Sequence, residues 1–427
     1  MDSSEYAQVL KRLISEEGVS ILGEASRLPE DRLTRISNLR KKYPEDLVRV
    51  AVEQLELRKR AKSKFPFADQ MLFTKEGLEQ STGKRVADYH ATYFPVGAKI
   101  LDACCGIGGD AVALSNKGEV LAIDQNPAAT FCTEHNFQIH SEQEALKSRF
   151  RAITGNVVGL NLPELKLEGF DFAFFDPSRR TDGREGERRR VNAAEDYSPP
   201  LSWVSELRKS FSGTAVKVSP AIDDETLRTL GGVIEFISDR GECKEALALL
   251  DELANRTDAN DYRSDPPRYT AVVLSAESLP AKLTPFECAP LKISPPLEWL
   301  IEPDPAVIRA HLLPQIAHLH GASLLEPGIA YLTSEREISS PFATSYKIVE
   351  TLDFNIKQIQ ARVRSLGGKM TTVKKRNVLI EPEQVLKSLK SGGDTPYFLV
   401  LCPHNGKNLA LICEPPNIRR TSGDYAL

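Results

Sequence analysis

The sequence of 427 residues contains no run of 18 apolar residues, so it predicts no membrane-spanning helix. Its seven cysteines are scattered and include no Cys-x-x-Cys pair, which argues against a disulfide framework or a zinc site. The first residues, Met1–Glu5, lack the basic and apolar regions of a secretory signal. These absences predict a cytoplasmic chain with reduced thiols, no membrane association and no metal. The sequence predicts no particular oligomeric state.

Positive charge is also scarce overall, because 55 Lys and Arg face 59 Asp and Glu, for a net charge of −4. This balance excludes a globally basic nucleic-acid binder. Two segments depart from it. Residues 178–190 contain six arginines and three acids, and residues 344–393 contain ten basic and four acidic residues, including Lys374-Lys375-Arg376. Each segment is typical either of a solvated surface or of a surface that contacts phosphates.

The hydrophobic content of 41% and the length predict a globular chain of two or three domains. Apolar residues at helical spacing predict a helical segment over 1–64, which ends in a basic run that suits either a helix end or phosphate contacts. The next domain is expected over 65–278. Within it, alternating strands and helices from about 98 to 275 predict βαβ units and a parallel sheet, extended by strands at 233–237 and 270–274. Prolines over 275–296 indicate a linker. Residues 297–427 predict an α+β domain, with one of its helices over 305–320.

The strongest local motif is the segment from Asp102 to Asp110, at a predicted strand-to-helix turn. Gly106 and Gly108 allow a tight turn and a close approach of the backbone to a ligand. With Ala111 they also fit the dinucleotide-binding pattern G-x-G-x-x-A. Asp102, however, lies where nicotinamide-binding strands are usually apolar. The motif therefore favours another nucleoside cofactor over a nicotinamide.

Polar residues follow three further predicted strands. Asp124 ends the second strand, Asn156, followed by Val157, ends the third, and Asp176-Pro177 ends the fourth. In an open parallel sheet, ligands bind outside the carboxyl ends of the strands. A carboxylate at Asp124 could accept hydrogen bonds from ribose hydroxyls, and Asn156 could bond an adenine edge. We therefore expect one nucleoside site along this edge of the sheet.

These residues resemble the motifs of the class I S-adenosylmethionine-dependent methyltransferases. The whole chain is more narrowly similar to a bacterial group of these enzymes that has a C-terminal THUMP-like domain. This narrower resemblance is carried by Leu78–Thr82, Cys105–Asp110, Asp176–Arg180, Ser198–Pro200, Lys217–Pro220 and Glu302–Arg309. It implies a Rossmann-like α/β fold, S-adenosylmethionine as the cofactor and methyl transfer, with RNA as the expected substrate. The implied cofactor residues are Gln80, Thr82, Asp102, Gly106, Gly108, Asp110, Asp124, Asn156 and Val157.

The implied catalytic residues are Asp176, Pro177, Ser178, Arg179 and Arg180, where Asp176 and Pro177 position the acceptor and the arginines bind its phosphate or base. Amine-methylating relatives carry Asp or Asn followed by Pro-Pro and an aromatic residue. The second proline and the aromatic residue are absent here, which argues against exocyclic-amine chemistry. Tyr197 or Trp203 could instead supply an aromatic platform for a base.

Three functional hypotheses follow. The first is an S-adenosylmethionine-dependent methyltransferase that acts on RNA. The second is an RNA-binding protein that keeps the fold without catalysis, which the altered Ser178-Arg179 motivates. The third, an NAD-dependent oxidoreductase, fits the glycines but neither Asp102 nor Asp176-Pro177. The seven histidines share no metal-ligand spacing and receive no role, and Cys104 and Cys105 are interpreted as small packing residues.

Overall fold

A computed structural model describes residues 1–145, 147–179, 194, 197–257, 268–389 and 392–416, with the Arg179 side chain left out. The chain divides into two compact units. The first unit consists of Met1–Ile234 and Ala246–Arg268, and the second consists of Glu235–Glu245 and Tyr269–Leu427.

The first unit begins with four helices, as the periodicity predicts. They are α1 (Ser3–Leu13), α2 (Glu16–Arg27), α3 (Arg32–Leu39) and α4 (Glu45–Ala61). A capping box starts α1, because the Asp2 side chain accepts from the Glu5 backbone N–H while the Glu5 side chain bonds the Asp2 N–H. The apolar faces of these helices share one core with Ile107 and Cys132, so the helical segment packs directly on the βα region.

Five parallel strands form the centre of the first unit: β1 (Ala98–Ala103), β2 (Gly118–Asp124), β3 (Phe150–Thr154), β4 (Phe172–Phe175) and β7 (Gly213–Val218). Their order is β7-β4-β1-β2-β3. A separate two-stranded ribbon pairs β5 (Ser178–Arg179) with β6 (Tyr197–Ser198). The helices of this region are α5 (Lys75–Gln80), α6 (Lys84–Ala91), α7 (Gly109–Ser115), α8 (Pro127–Glu144), α9 (Leu162–Leu167), α10 (Val204–Ser210), α11 (Asp224–Leu230) and α12 (Glu252–Asn255).

The expectation of a parallel sheet does not hold throughout the first unit. A tight turn with positive φ at Arg240 and Gly241 joins β8 (Val233–Asp239) to β9 (Glu242–Asp251), and β9 runs antiparallel to β7. The Ala246–Leu250 run consists of helix-forming residues, but all five are fully buried in the sheet. Burial on both faces outweighs their helix propensity here.

The second unit is an α+β domain, as predicted. Its larger sheet has the order β13-β14-β12-β15-β18-β17-β16. The strands are β12 (Trp299–Pro303), β13 (Ser323–Leu324), β14 (Leu332–Ser334), β15 (Ala343–Asp353), β16 (Gly368–Lys375), β17 (Thr395–His404) and β18 (Lys407–Cys413). The helices are α13 (Pro305–Arg309), α14 (Leu313–His320), α15 (Ile356–Ser365) and α16 (Pro382–Ser388).

Two predictions for the second unit need correction. The single helix expected over 305–320 is broken into α13 and α14, because His311 adopts a positive φ of 58° and Pro314 opens the next helix. The segment expected to be a linker contains β11 (Ala281–Leu283), which pairs antiparallel with β10 (Arg268–Leu274). Within the described ranges, the structure holds no helix that combines the length and apolarity needed to cross a bilayer.

Candidate active site

The sheet register brings the predicted acids to one edge of the first unit. Asp102 on β1 pairs with Phe174 on β4, so Asp176 lies two residues further along the neighbouring strand. On the other side Asp102 pairs with Ala122, and Asp124 again follows two residues later. Because side chains alternate along a strand, the three carboxylates project from the same face of the sheet. The structure therefore brings Asp102, Asp124 and Asp176 together, as the order of the motifs predicts.

The turn after β1 has the geometry that its glycines predict. Gly106 and Gly108 have φ angles of 55° and 89°, in the left-handed region that favours glycine. Gly108 caps α7, and a Cβ on Gly109 would lie 2.7 Å from the carbonyl oxygen of Thr82. The segment around Thr82 thus lies directly against the start of α7, which only a residue without a side chain permits.

Asp102 is the most unusual acid of the site. Its side chain is 1% exposed, and neither carboxylate oxygen has a hydrogen-bond partner among the described residues. Burial raises its pKa well above the usual value, and repulsion from Asp110 and Asp176 adds to that effect. A buried ionised carboxylate without a partner is costly, and a bound cation would remove that cost.

Asp124 and Asn156 shape the next part of the edge. The Asp124 carboxylate accepts hydrogen bonds from the backbone N–H groups of Gly106, at 3.0 Å, and Asn126, at 2.9 Å. Burial raises the pKa of Asp124, although these two hydrogen bonds oppose the shift. Asn156 caps a short 3-10 turn by accepting from the N–H of Val158 at 3.1 Å, and Val157 is buried. Asp124 therefore links the glycine turn to the end of β2.

Lys217 is a site residue that sequence reasoning missed. It lies near the end of β7, and its ammonium nitrogen is 2.5 Å from Asp176 Oδ2 and 2.8 Å from Thr82 Oγ1. It is also 3.9 Å from Asp110 Oδ2. The available signal was a lysine inside the otherwise apolar strand Ala215-Val216-Lys217-Val218, since such a lysine needs a buried partner.

His90 also has a role that its sequence context did not indicate. Its Nδ1 lies 2.8 Å from Asp110 Oδ1, and both side chains are buried. The Thr82 hydroxyl donates to Asp110 Oδ2 at 2.6 Å. Burial alone would raise the pKa of Asp110, but His90, Lys217 and the Thr82 hydrogen bond lower it below the usual value. Thr82 and Asp110 therefore belong to a buried polar network that connects α6, α7 and β7.

The remaining predicted residues differ in placement. Gln80 is exposed at the end of α5, and Pro177 is buried after Asp176. The Ser178 hydroxyl donates to the Ser198 carbonyl at 3.3 Å. The Arg179 backbone pairs with Tyr197 in the ribbon. The Arg179 side chain, Arg180 and the rest of the arginine-rich segment over 181–190 lie outside the described residues.

The expected aromatic platform is wrong for both residues proposed. Tyr197 is 1% exposed, and its hydroxyl accepts from the backbone N–H of Ser219 at 3.0 Å. Trp203 is 8% exposed and packs edge-on against Phe175, with ring centroids 5.2 Å apart. Tyr197 therefore packs beside the end of β7 and Trp203 beside the end of β4, both inside the core, so a base could not stack on them.

The basic cluster of the second unit is largely paired with acids. Lys374 bonds Glu302 and, at 2.7 Å, the Tyr346 hydroxyl. Arg376 lies 3.7 Å from Glu302, and Lys375 lies 3.1 Å from Glu381. By contrast, Lys357, Lys369 and Lys387 are exposed and form no ion pair within the described part of the chain. These three lysines are the more accessible positive charges of that unit.

Comparison with known proteins agrees with this geometry. Family models match three parts of the chain: a domain of unknown function over residues 7–61, RNA cap guanine-N2 methyltransferase over 97–176, and THUMP domain-like over 343–415. An uncharacterized S-adenosylmethionine-dependent methyltransferase of Mycobacterium tuberculosis is 28% identical over 379 residues, which cover 85% of this chain and 96% of the relative. The same relative occurs in strains CDC 1551 and H37Rv.

One solved structure shares the overall fold. It is a candidate methyltransferase from Porphyromonas gingivalis W83, with a TM-score of 0.72 and 22% identity, and the match covers 94% of this chain and 99% of that protein. The fold, the motif positions and the matched relatives agree with the resemblance drawn from the sequence. The chain is therefore similar to S-adenosylmethionine-dependent methyltransferases over most of its length, and to THUMP domains over residues 343–415.

Proposed function

We propose that this chain transfers the methyl group of S-adenosylmethionine to a nitrogen atom of RNA. The observation that carries the proposal is the buried, unpartnered carboxylate of Asp102, one strand away from Asp176 at the same sheet edge. S-adenosylmethionine brings a positively charged amine and a positively charged sulfonium. A cation at this edge would compensate Asp102, so the residues present fit this cofactor.

The same charges disfavour a dinucleotide. A pyrophosphate bound at the Gly106–Gly108 turn would meet the ionised Asp110 in the first turn of α7, whose pKa is lowered, and it could not compensate the buried Asp102. Like charges repel strongly where water is excluded. The site therefore supports a cationic cofactor better than a nicotinamide dinucleotide, even though the glycine pattern suits both.

The cofactor residues divide by the part of the ligand that they would bind. Asp102 and the Gly106–Gly108 turn would hold the methionine portion, with Gln80 and Thr82 beside them. Asp124 would accept hydrogen bonds from the ribose hydroxyls, because each of its oxygens can accept more than the one backbone bond it has. Asn156 and Val157 would contact the adenine. These assignments follow the positions of the side chains along the sheet edge.

The chemical task of the protein is to place the acceptor. The sulfonium supplies an activated methyl group, so neither a metal nor a covalent nucleophile is needed. As the new carbon–nitrogen bond forms, the carbon–sulfur bond breaks and its electron pair stays on sulfur. The acceptor nitrogen would then release one proton to water. Asp176 would accept a hydrogen bond from that N–H and direct the nitrogen lone pair at the methyl carbon, with Pro177 and Ser178 forming the adjacent backbone.

RNA as the substrate class rests on separate support. The family model over 97–176 is that of RNA cap guanine-N2 methyltransferases, and the domain over 343–415 is THUMP-like. The match supports RNA as the substrate class but not N2 as the acceptor atom, because this chain lacks the second proline and the aromatic residue of amine-methylating relatives. Lys357, Lys369 and Lys387 supply exposed positive charge in that second region, and Arg179 and Arg180 follow the acceptor strand. Lysine and arginine at such positions are suited to contact phosphates.

Transfer of tritiated methyl groups tests the proposal. Total RNA from cells that lack the gene for this chain is incubated with labelled S-adenosylmethionine and the wild-type, Asp176→Ala or Asp171→Ala protein. Asp171 is a matched control, because it precedes the same strand at the opposite end and pairs with Lys166. We expect labelled RNA with the wild type and with Asp171→Ala, and at least about a hundredfold less with Asp176→Ala. Label only in protein, or equal labelling by all three, would contradict the proposal.

A further inference from the structure

The formation of strand β7 does not require a charged residue at position 217. It lies on β7 between Val216 and Val218, both buried, and its side chain is only 12% exposed. An ammonium group in such surroundings is costly unless acids and hydrogen-bond acceptors surround it. A leucine or methionine would fill the same space without that cost. The lysine therefore needs an explanation beyond packing.

The contacts of Lys217 join two parts of the site. On one side its ammonium bonds the Thr82 hydroxyl at 2.8 Å and lies 3.9 Å from Asp110. Thr82 is itself held by a 2.6 Å hydrogen bond to Asp110, which His90 bonds from the other direction at 2.8 Å. On the other side the ammonium lies 2.5 Å from Asp176 Oδ2. Lys217 therefore links Thr82 and Asp110, which hydrogen bonds hold in buried positions, to the carboxylate of Asp176.

Asp176 needs such an anchor because of its location. It follows the last residue of β4, its backbone N–H donates to the Ala103 carbonyl at 3.2 Å, and its side chain is 29% exposed. A half-exposed carboxylate at a strand end can rotate about two side-chain bonds. A displacement of about 1 Å in a group that orients a reactant can cost about a hundredfold in rate.

We propose that Lys217 is a positioning residue for methyl transfer, which fixes the carboxylate of Asp176 in the orientation that receives the acceptor. The inference rests on the proposed function, in which Asp176 binds the acceptor nitrogen. Lys217 touches neither substrate nor the reacting atoms and acts through Asp176. Thr82 and Asp110 hold the lysine, and His90 holds Asp110.

The first test compares Lys217→Met, which keeps the length of the side chain without its charge, with Lys217→Arg, which keeps the charge. Lys99→Met is the matched control, since Lys99 lies at the opposite end of the same sheet and bonds the Glu168 carbonyl. Methyl transfer to the same total RNA gives kcat and KM, and calorimetry gives the affinity for S-adenosylmethionine. We expect Lys217→Met to lower kcat about a hundredfold at a concentration of S-adenosylmethionine that saturates each variant, as the calorimetric affinities define it. Lys217→Arg should recover at least about tenfold of the loss, and Lys99→Met should match the wild type.

A double-mutant cycle with Asp176→Ala separates positioning from a general structural role. If Lys217 acts through Asp176, Lys217→Met should lower kcat less than about twofold further in the Asp176→Ala background. Additive losses would overturn the proposal, and so would a folded Lys217→Met protein with kcat within about twofold of wild type. If Lys217→Met does not fold, Thr82→Val loosens the lysine without removing a charge. It should lower kcat about fivefold or more, and an unchanged kcat would contradict the anchoring role.

The outcomes for the two proposals are distinct. A wild-type protein that labels no RNA would contradict the proposed function itself. A wild-type protein that labels RNA, an inactive Asp176→Ala and a fully active Lys217→Met would leave that function standing and overturn only the role of Lys217.

Discussion

Asp124 accepts a hydrogen bond from the backbone N–H of Gly106 at 3.0 Å, which ties the carboxylate at the end of β2 to the glycine turn after β1. The same carboxylate accepts from Asn126, at the start of α8. One side chain therefore fixes the turn and is placed to bind the ribose hydroxyls. Removing it should affect both the protein and its affinity for cofactor.

We expect Asp124→Ala to weaken S-adenosylmethionine binding about a hundredfold, because it removes the ribose acceptor and frees the Gly106 turn. Asp124→Asn keeps one acceptor oxygen and should lose less affinity. Calorimetric titration of the two variants measures the difference. Equal affinities for the wild type and Asp124→Ala would show that the cofactor does not bind at this carboxylate.

Gly109 provides a steric test of the contact between α7 and the Thr82 segment. A Cβ at position 109 would lie 2.7 Å from the Thr82 carbonyl oxygen, so Gly109→Ala must displace backbone. We expect a loss of about 2 kcal/mol in the free energy of unfolding. Gly23→Ala is the control, because Gly23 lies within α2 and a Cβ there meets no atom within 4 Å. That variant should gain up to about 1 kcal/mol in urea denaturation. A Gly109→Ala protein as stable as wild type would show that the Thr82 segment is not held against α7.

The His90–Asp110 pair predicts a pH-dependent contribution to stability. The pKa of Asp110 is lowered in the folded protein, so its contribution is present above the usual aspartate pKa and is lost as the pH falls through the lowered value. His90→Leu leaves a buried carboxylate with fewer partners and should cost about 3 kcal/mol at neutral pH. The difference from wild type should shrink as the pH falls and Asp110 becomes protonated. Urea denaturation across this pH range measures it, and a difference that is independent of pH would contradict the assignment.

The exposed lysines of the second unit predict the salt dependence of RNA binding. Changing Lys357, Lys369 and Lys387 to Glu should weaken binding to total RNA and lower the slope of log affinity against log salt by about 2. The control changes Arg27, Lys41 and Arg49 of the N-terminal helical segment to Glu, which alters net charge by the same amount. Filter binding between low and moderate salt measures both slopes. Equal slopes of log affinity against log salt for the two triple variants would show that these lysines of the second unit do not contact RNA.

The residues of the site that could be predicted from the sequence are those that belong to local motifs. The glycines around Gly106 and the acids at the ends of successive strands occur within single strand–turn units, and strand order then places Asp102, Asp124 and Asp176 on one edge. The fold class and the α+β nature of the second unit follow from the same alternation of strands and helices.

The features that the sequence did not predict depend on contacts between distant segments. Lys217 contacts residues 82, 110 and 176, and His90 contacts Asp110. These residues are far apart in the sequence, so no local periodicity predicts the contacts. β9 was missed for a related reason, because its Ala-Leu run favours a helix until burial in the sheet selects the strand. The prediction that Tyr197 or Trp203 stacks on a base is wrong because aromatic residues near a site can also belong to the hydrophobic core, and here both are buried.

The most direct measurement of the central claim is calorimetry of cofactor binding by wild type and Asp102→Asn. Burial raises the pKa of Asp102, and a bound cation would favour its ionised form. Binding of S-adenosylmethionine should therefore release a proton and strengthen as the pH rises through the raised pKa, with NAD showing no binding. Asp102→Asn should bind about a hundredfold more weakly and release no proton from this site. Tight binding of NAD, or binding of S-adenosylmethionine that is unchanged in Asp102→Asn, would contradict the account.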